Sequence, residues 1–262
     1  MGSMLIRKFI ATDTVQPSDI MAHSKTGVSA KNLAHTTGIK AVQTNSIVAE
    51  NAEILFICVK PMDVRDVFKE ISGSFKPGTL IISIAACVSL SNLEKWAGPG
   101  ARCVRVIPSL TAEKEAGISL VSWGTTVTQR DRDLALNLFN ALGVAIETDE
   151  KNLDVYSDLT SCGPALIAAM MKEFASSAAR TGLLDQDLAE YLVKETMAGT
   201  VRILAGDTMN FDTLIRRVAT PGGITEQGLK VLTAGLPVVF DEVHEATSSK
   251  RRIVTAQVMG KK

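Results

Sequence analysis

The chain is poor in the residues that most often announce chemistry by themselves. Its 262 residues include three histidines, four cysteines, two tryptophans and two tyrosines. His23, His35 and His244 are scattered. Cys58, Cys87, Cys103 and Cys162 form no CxxC pair, and none has a histidine at ligand spacing, so no metal is expected. Three of the cysteines lie in apolar runs and read as buried thiols of a reducing compartment, the cytoplasm. Net charge is also lacking: Lys plus Arg and Asp plus Glu are 28 each, which argues against nucleic acid or a membrane surface as partner through bulk charge. Lys250, Arg251 and Arg252 read as a short solvated run. No apolar stretch is long enough for a membrane span, and the first ten residues lack the apolar core of a secretory signal.

What is present divides into two textures. The first half alternates β-rich apolar runs with amphipathic stretches. The runs are "EILFICV" at 53–59, "TLIISIAA" at 79–86, "RCVRVI" at 102–107 and "ISLVS" at 118–122; helical spacing occupies 62–71 and 89–96. Strands that are apolar throughout, separated by helices, predict βαβ units and a parallel sheet covered on both faces. Lys60-Pro61, Pro77-Gly78 and Gly98-Pro99-Gly100 supply turns. From about Leu153 the pattern is helical only: 164–181, 185–205, a helix resuming at Thr225, and a last helix over 236–258. The polar link Glu147 to Asn152 predicts a boundary near 150, giving an α/β domain over 1–150 and an all-helical domain over 151–262. Small residues crowd 165–179 and favour close helix packing, either within a single-chain bundle or between two subunits of a homodimer through the helical domain, of which the texture favours the dimer.

In a parallel sheet, ligands bind beyond the carboxyl ends of the strands, which directs attention to Lys60-Pro61, Ala85-Ala86 and Pro108-Ser109. On the residues alone, ordinary strand termination is the favoured account of these loops. "ATPGGIT" at 219–225 pairs two glycines with a following helix, whose free N–H groups suit a carboxylate. Thr225 reads either as the cap of that helix or as a ligand contact.

Four motifs in one order make the sequence resemble the pyrroline-5-carboxylate reductases: "ILFICVKP" at 54–61, "VRVIPS" at 104–109, "LTSCGPA" at 159–165 and "TPGGIT" at 220–225. The resemblance implies a Rossmann-like domain followed by a helical dimerisation domain. It also explains the opening "MGSMLIRKFI". Met1-Gly2-Ser3 resembles the last three residues of the family's Gly-x-Gly-Asn-Met-Gly-Ser turn, so the chain is expected to begin inside the dinucleotide fingerprint, with the first strand and two glycines absent. The neighbours of that strand should then carry unpaired backbone.

Carried over residue by residue, the resemblance implies NADP(H), with NAD(H) as the other choice, held by Gly2, Ser24, Lys25, Asn45, Cys58, Val59, Lys60, Pro61, Ala85 and Ala86. Lys25 keeps a positive charge for a 2′-phosphate without the guanidinium fork. Binding is expected to be impaired by the incomplete turn. Thr220, Gly222, Gly223 and Thr225 would hold pyrroline-5-carboxylate, the backbone taking its carboxylate and Thr225 acting at the ring nitrogen as the catalytic contact. The implied reaction is hydride transfer to the cyclic imine, giving L-proline. The implied assembly is a homodimer or a higher oligomer built from it.

The chain departs from the family's pattern at Cys87 (Gly in the family), Ser109 (Asn), Ser161 (Gly), Cys162 (Ser), Leu166 (Tyr) and Lys172 (Glu). "RVIPS", "AGISLVSWG" and "SCGPA" are more similar to the late-competence ComER branch, which implies a second reading: a regulatory relative of competence and sporulation with weak or no turnover. A third reading is a hydroxyacid dehydrogenase of similar build with Lys172 as its catalytic lysine; the Pro-Gly-Gly loop favours the first two.

Overall fold

The computed structural model describes residues 1–206 and 208–260. It opens with helix α1 (Gly2–Ala11), then β1 (Met21–Ala22), α2 (Val28–Thr37), β2 (Lys40–Ala41), α3 (Asn45–Asn51) and β3 (Ile54–Ile57). There follow α4 (Val64–Glu70), β4 (Leu80–Ser83), α5 (Leu90–Ala97), β5 (Arg102–Ile107), β6 (Gly117–Trp123), α6 (Gln129–Asn140) and β7 (Gly143–Glu147). The remainder is helical: α7 (Leu153–Ser157), a π-helical turn over Asp158–Cys162, α8 (Gly163–Ala179), α9 (Gln186–Leu204), α10 (Phe211–Val218) and α11 (Ile224–Gly260).

The strands form two sheets, β1-β2 and β3-β4-β5-β6-β7. Pairing is parallel within β1-β2, β3-β4-β5 and β6-β7, whereas β6 runs antiparallel to β5, with Val104 opposite Trp123. Only a short connection over 108–116 joins those two strands, too short for a parallel crossover.

β4 is buried along its whole length, and alternation splits its side chains between two cores. Leu80 and Ile82 join Leu5 and Phe9 of α1, Val104, Val106, Val121 and Phe139 on one face. Ile81 joins Leu55, Ile57, Phe68, Leu93 and Cys103 on the other. Helix starts are fixed locally. Ser89 accepts from the Asn92 amide at 3.2 Å, and Thr128 with Asp131 forms a capping box on α6.

By its internal contacts the chain divides into two compact units, Met1–Gly163 with Ser248–Lys262, and Pro164–Thr247. The sequence-based division at 150 assigns 151–163 and 248–260 differently. These segments are tied to the first unit: Leu153 is buried against Ile107 and Leu120, and Val254 and Val258 pack on the core around Leu55. Arg251 pairs with Asp158, whose side chain is 3% exposed. The expected solvated run at 250–252 is therefore corrected at Arg251. The polar link is likewise an anchor. Glu150 accepts from Arg105, buried on β5, at 3.0 Å and from the Leu90 amide at 2.7 Å.

Two further expectations are revised. The helix resuming at Thr225 and the last helix are one element, α11, which carries Pro237 inside it; proline loses one backbone bond, and the helix continues around it. Of the thiols, only Cys103 is fully buried. Cys87 and Cys162 are half-buried, and Cys58 is exposed because it sits just past β3, at the sheet's carboxyl edge.

Candidate functional site

The loops beyond the carboxyl ends of β1, β2 and β3 surround one cleft of about 1010 Å³ in the first unit. Gly2, Ser24, Lys25, Asn45, Cys58 and Val59 line it, six of the ten residues expected to hold a dinucleotide. Lys60, Pro61, Ala85 and Ala86 are not in its wall. Lys60 and Pro61 lead from β3 into a 3-10 turn over Pro61–Asp63. Ala85 is buried, its amide donating to Ser83 Oγ at 3.3 Å, and Ala86 beside it is exposed.

Gly2 explains why a glycine opens α1. A Cβ there would lie 2.9 Å from Cys58 Cβ, so the helix start rests directly on the end of β3. No acidic residue occupies the first turn of α1, which leaves its positive dipole end uncancelled toward the cleft. Ser24 Oγ accepts from the Ala30 amide at 3.1 Å, tying the loop after β1 to α2, while Lys25 is exposed. Asn45 is held by Glu70, to which it donates through its backbone amide at 3.1 Å and through Nδ2 at 2.7 Å.

Cys87 has φ +62°, a left-handed conformation that penalises any side chain. Burial pushes its thiol up, against a hydrogen bond from Thr255 that lowers it. Burial also raises the Cys162 thiol, with Asp158 adding to the effect. Neither is poised as a thiolate nucleophile. Among the described residues no group of three or more His, Cys, Asp and Glu could hold a metal ion, and no helix is long and apolar enough to cross a membrane.

In the second unit, α10 and α11 are joined by Thr220-Pro221-Gly222-Gly223. The Gly223 amide donates to Thr220 C=O at 2.9 Å. Pro221 and Gly222, with φ +73° at the glycine, occupy the two central places of a type II turn. Gly223 has no room for a side chain, since a Cβ would lie 2.6 Å from Thr220 Oγ1. Gly222 and Thr225 are exposed and Gly223 is half-exposed, so the turn is open to solvent.

Sequence reasoning missed Glu226, whose Oε2 accepts from the Gly222 amide at 3.0 Å. The signal was available as a capping-box spacing, an acid three residues after Gly223. Thr225 is the second residue of α11, and its hydroxyl has no hydrogen-bond partner among the described residues, so it does not cap the helix. Lys172 is exposed on α8, outside the turn that carries these groups.

Comparison with known proteins agrees with this arrangement. Residues 150–253 match the family described as pyrroline-5-carboxylate reductase dimerisation, and residues 1–87 match one described as NADP oxidoreductase, coenzyme F420-dependent. Pyrroline-5-carboxylate reductase 3 of Bacillus subtilis is 34% identical over 98% of this chain and 94% of its own. ComE operon protein 4 of the same organism is 28% identical, covering 95% of this chain and 91% of that protein. A solved pyrroline-5-carboxylate reductase of Coxiella burnetii superposes with a TM-score of 0.83 at 27% identity, over 97% of this chain and 94% of that one. Similarity that runs through both units places this protein in the pyrroline-5-carboxylate reductase family.

Proposed function

We propose that the chain reduces pyrroline-5-carboxylate to L-proline with NADPH. The observation that carries this reading is the convergence of Gly2, Ser24, Lys25, Asn45, Cys58 and Val59 on one cleft at the sheet's carboxyl edge. The residues fit a dinucleotide. Gly2 gives α1 a close seat on β3, and the free helix start favours the pyrophosphate. The loop after β1 reads His23-Ser24-Lys25, with no acid to bind a ribose 2′-hydroxyl and a cation suited to a 2′-phosphate, which favours NADPH over NADH.

When bound, the reduced nicotinamide supplies a hydride to the imine carbon. The chain's own part is to bind and orient. The start of α11 presents backbone N–H groups to the substrate carboxylate, joined by the Gly222 amide where the substrate displaces Glu226, and the unpartnered Thr225 hydroxyl is available to hydrogen-bond the ring nitrogen. No general base is required, because a protonated imine is already electrophilic. The helical unit leaves Phe174, Tyr191, Val201, Phe211 and Val239 exposed, an apolar surface that supports a homodimer. The four free thiols accord with a cytoplasmic protein.

The reductase reading itself is tested by proline formation from pyrroline-5-carboxylate at NADPH concentrations that saturate binding, and turnover is expected. Saturated nucleotide without proline would overturn it in favour of a regulatory relative with weak or no turnover. The Glu226 carboxylate on the Gly222 amide is the feature that speaks for that second reading.

A further inference from the structure

Two helix ends meet at the wall of the cleft. α3 starts at Asn45, which lines the cleft with Val48, and α4 ends at Glu70, between Val67 and Ile71, which line it too. The Glu70 carboxylate takes both N–H groups of Asn45: Oε1 accepts from the backbone amide at 3.1 Å and Oε2 from Nδ2 at 2.7 Å. A carboxylate has no hydrogen to give, so only one orientation of the Asn45 amide fits it. Nδ2 faces Glu70, and Oδ1, at the other corner of the amide, has no hydrogen-bond partner among the described residues. α3 itself is held by other bonds. Thr44 Oγ1 accepts from the Ile47 amide at 3.2 Å, Ser46 Oγ donates to the backbone C=O of Glu70 at 3.2 Å, and Ala49 is buried in the core around Leu55. None of these depends on the Glu70 carboxylate. Its separate effect is to choose which end of the Asn45 amide is free.

We propose that Glu70 is a positioning residue for the dinucleotide: it holds Asn45 so that the carbonyl oxygen, and not the amino group, is offered to the nucleotide. The group met there is a hydrogen-bond donor. With the pyrophosphate at the start of α1 and the 2′-phosphate at Lys25, the segment after β2 falls to the adenosine half. Its two donors are the ribose 3′-hydroxyl and the adenine 6-amino group. A phosphate oxygen at the same place would meet Oδ1 acceptor to acceptor and gain nothing. An asparagine free to turn would offer either end and would lose that freedom on binding, whereas Glu70 makes the choice in advance. Glu70 has this role only if the cleft takes NADPH, as proposed above.

The test is NADPH binding to the 262-residue protein, read by calorimetry so that no turnover is needed. Glu70→Gln keeps one acceptor and gains a donor, which turns Asn45 Nδ2 away from it and reverses the end offered to the nucleotide. NADPH affinity should fall about tenfold, with the thermal midpoint little changed because Thr44 and Ser46 still hold α3. Adding Asn45→Asp supplies one acceptor to the new side-chain amide and another to the nucleotide, with the charge of the pair unchanged. The double variant should recover to within about threefold of the parent. Where turnover is followed, KM for NADPH should move with Kd, and kcat at saturating NADPH should not. The reduced hypoxanthine analogue, which has an oxygen in place of the 6-amino group, separates the two donors. If the amine is the donor, Glu70→Gln reverses the parent's preference for adenine; if the ribose hydroxyl is the donor, both proteins show the same preference. Undiminished NADPH affinity in Glu70→Gln would overturn the proposal, as would a double variant that binds no better than Glu70→Gln. A parent that binds NADPH and forms no proline would end the reductase reading and leave the role of Glu70 standing, whereas a parent that does not bind NADPH would end both.

Discussion

Gly2 sits so close to Cys58 that a side chain on it would place Cβ 2.9 Å from Cys58 Cβ. Real Cβ atoms do not approach that closely, so Gly2→Ala must push α1 off the end of β3. Overpacking of this kind costs about 1–3 kcal/mol, and the shift moves the helix start away from the cleft rim. Denaturant unfolding is expected to show that loss, with NADPH binding weakened alongside. The added substitution Cys58→Gly removes the opposing Cβ and should restore most of the binding; failure to restore it would show that Gly2 acts through something other than this contact.

Cys87 tests a backbone argument. Its φ of +62° penalises a Cβ whatever the side chain beyond it. Comparing Cys87→Gly with Cys87→Ala cancels the lost thiol and its bond to Thr255, leaving the Cβ as the difference. The glycine variant should be more stable by about 1 kcal/mol, read as a difference in urea midpoint at equal slope. Equal stability would mean that the segment relaxes out of the left-handed region.

Asp131 carries a pH dependence. Burial works against its ionisation most strongly, but the Thr128 hydrogen bonds and Arg102, at 2.9 Å from Oδ1, together outweigh it and hold the carboxyl below the usual range. A depressed carboxyl contributes stability that is fully present above its unfolded pKa of about 3.9 and is lost as pH falls through the folded value. The chain should therefore lose stability below about pH 4, and Asp131→Asn should remove that part of the acid sensitivity. At neutral pH the same variant leaves Arg102 without its carboxylate partner and weakens the cap of α6, costing about 2–3 kcal/mol. Thermal unfolding of both forms at pH 7 and in acid measures the two effects.

How much of this was legible before any coordinates follows from which physical signal each part uses. β3 and β4 were readable because they are apolar on both faces, β5 because apolar residues dominate it around its two arginines, and α9 because its polar and apolar positions repeat with helical period. β1 and β2, with two residues each, and β7, with exposed Val144 and Ile146, carry too little pattern to stand out. The antiparallel turn into β6 is set by a connection length, not by any residue type. Gly2 was legible as part of a motif, but the reason for it, the close approach to Cys58, is a distance between segments far apart in sequence. Thr225 was left open between cap and contact; only the observed helix start at Ile224 frees its hydroxyl. Arg251 looked solvated because its partner Asp158 lies about ninety residues away along the chain.

The turn at Thr220–Gly223 yields the sharpest functional prediction, because an internal carboxylate already tests its amide. Glu226 Oε2 lies 3.0 Å from the Gly222 nitrogen, the place proposed for the substrate's own carboxylate. The two anions compete for one donor, and their mutual repulsion adds to the cost of binding. Glu226→Gln keeps the shape and weakens the competitor, so KM for pyrroline-5-carboxylate should fall by about threefold, corresponding to a gain of under 1 kcal/mol at an exposed site, with kcat little changed. Thr225 should behave differently. Its hydroxyl has no partner to lose in the free chain, so Thr225→Ala removes only an interaction with substrate and should lower kcat/KM about 10- to 100-fold, with Thr225→Ser recovering most of it. An unchanged KM in Glu226→Gln would move the carboxylate away from Gly222, whereas an unaffected Thr225→Ala would remove the hydroxyl from the reaction altogether.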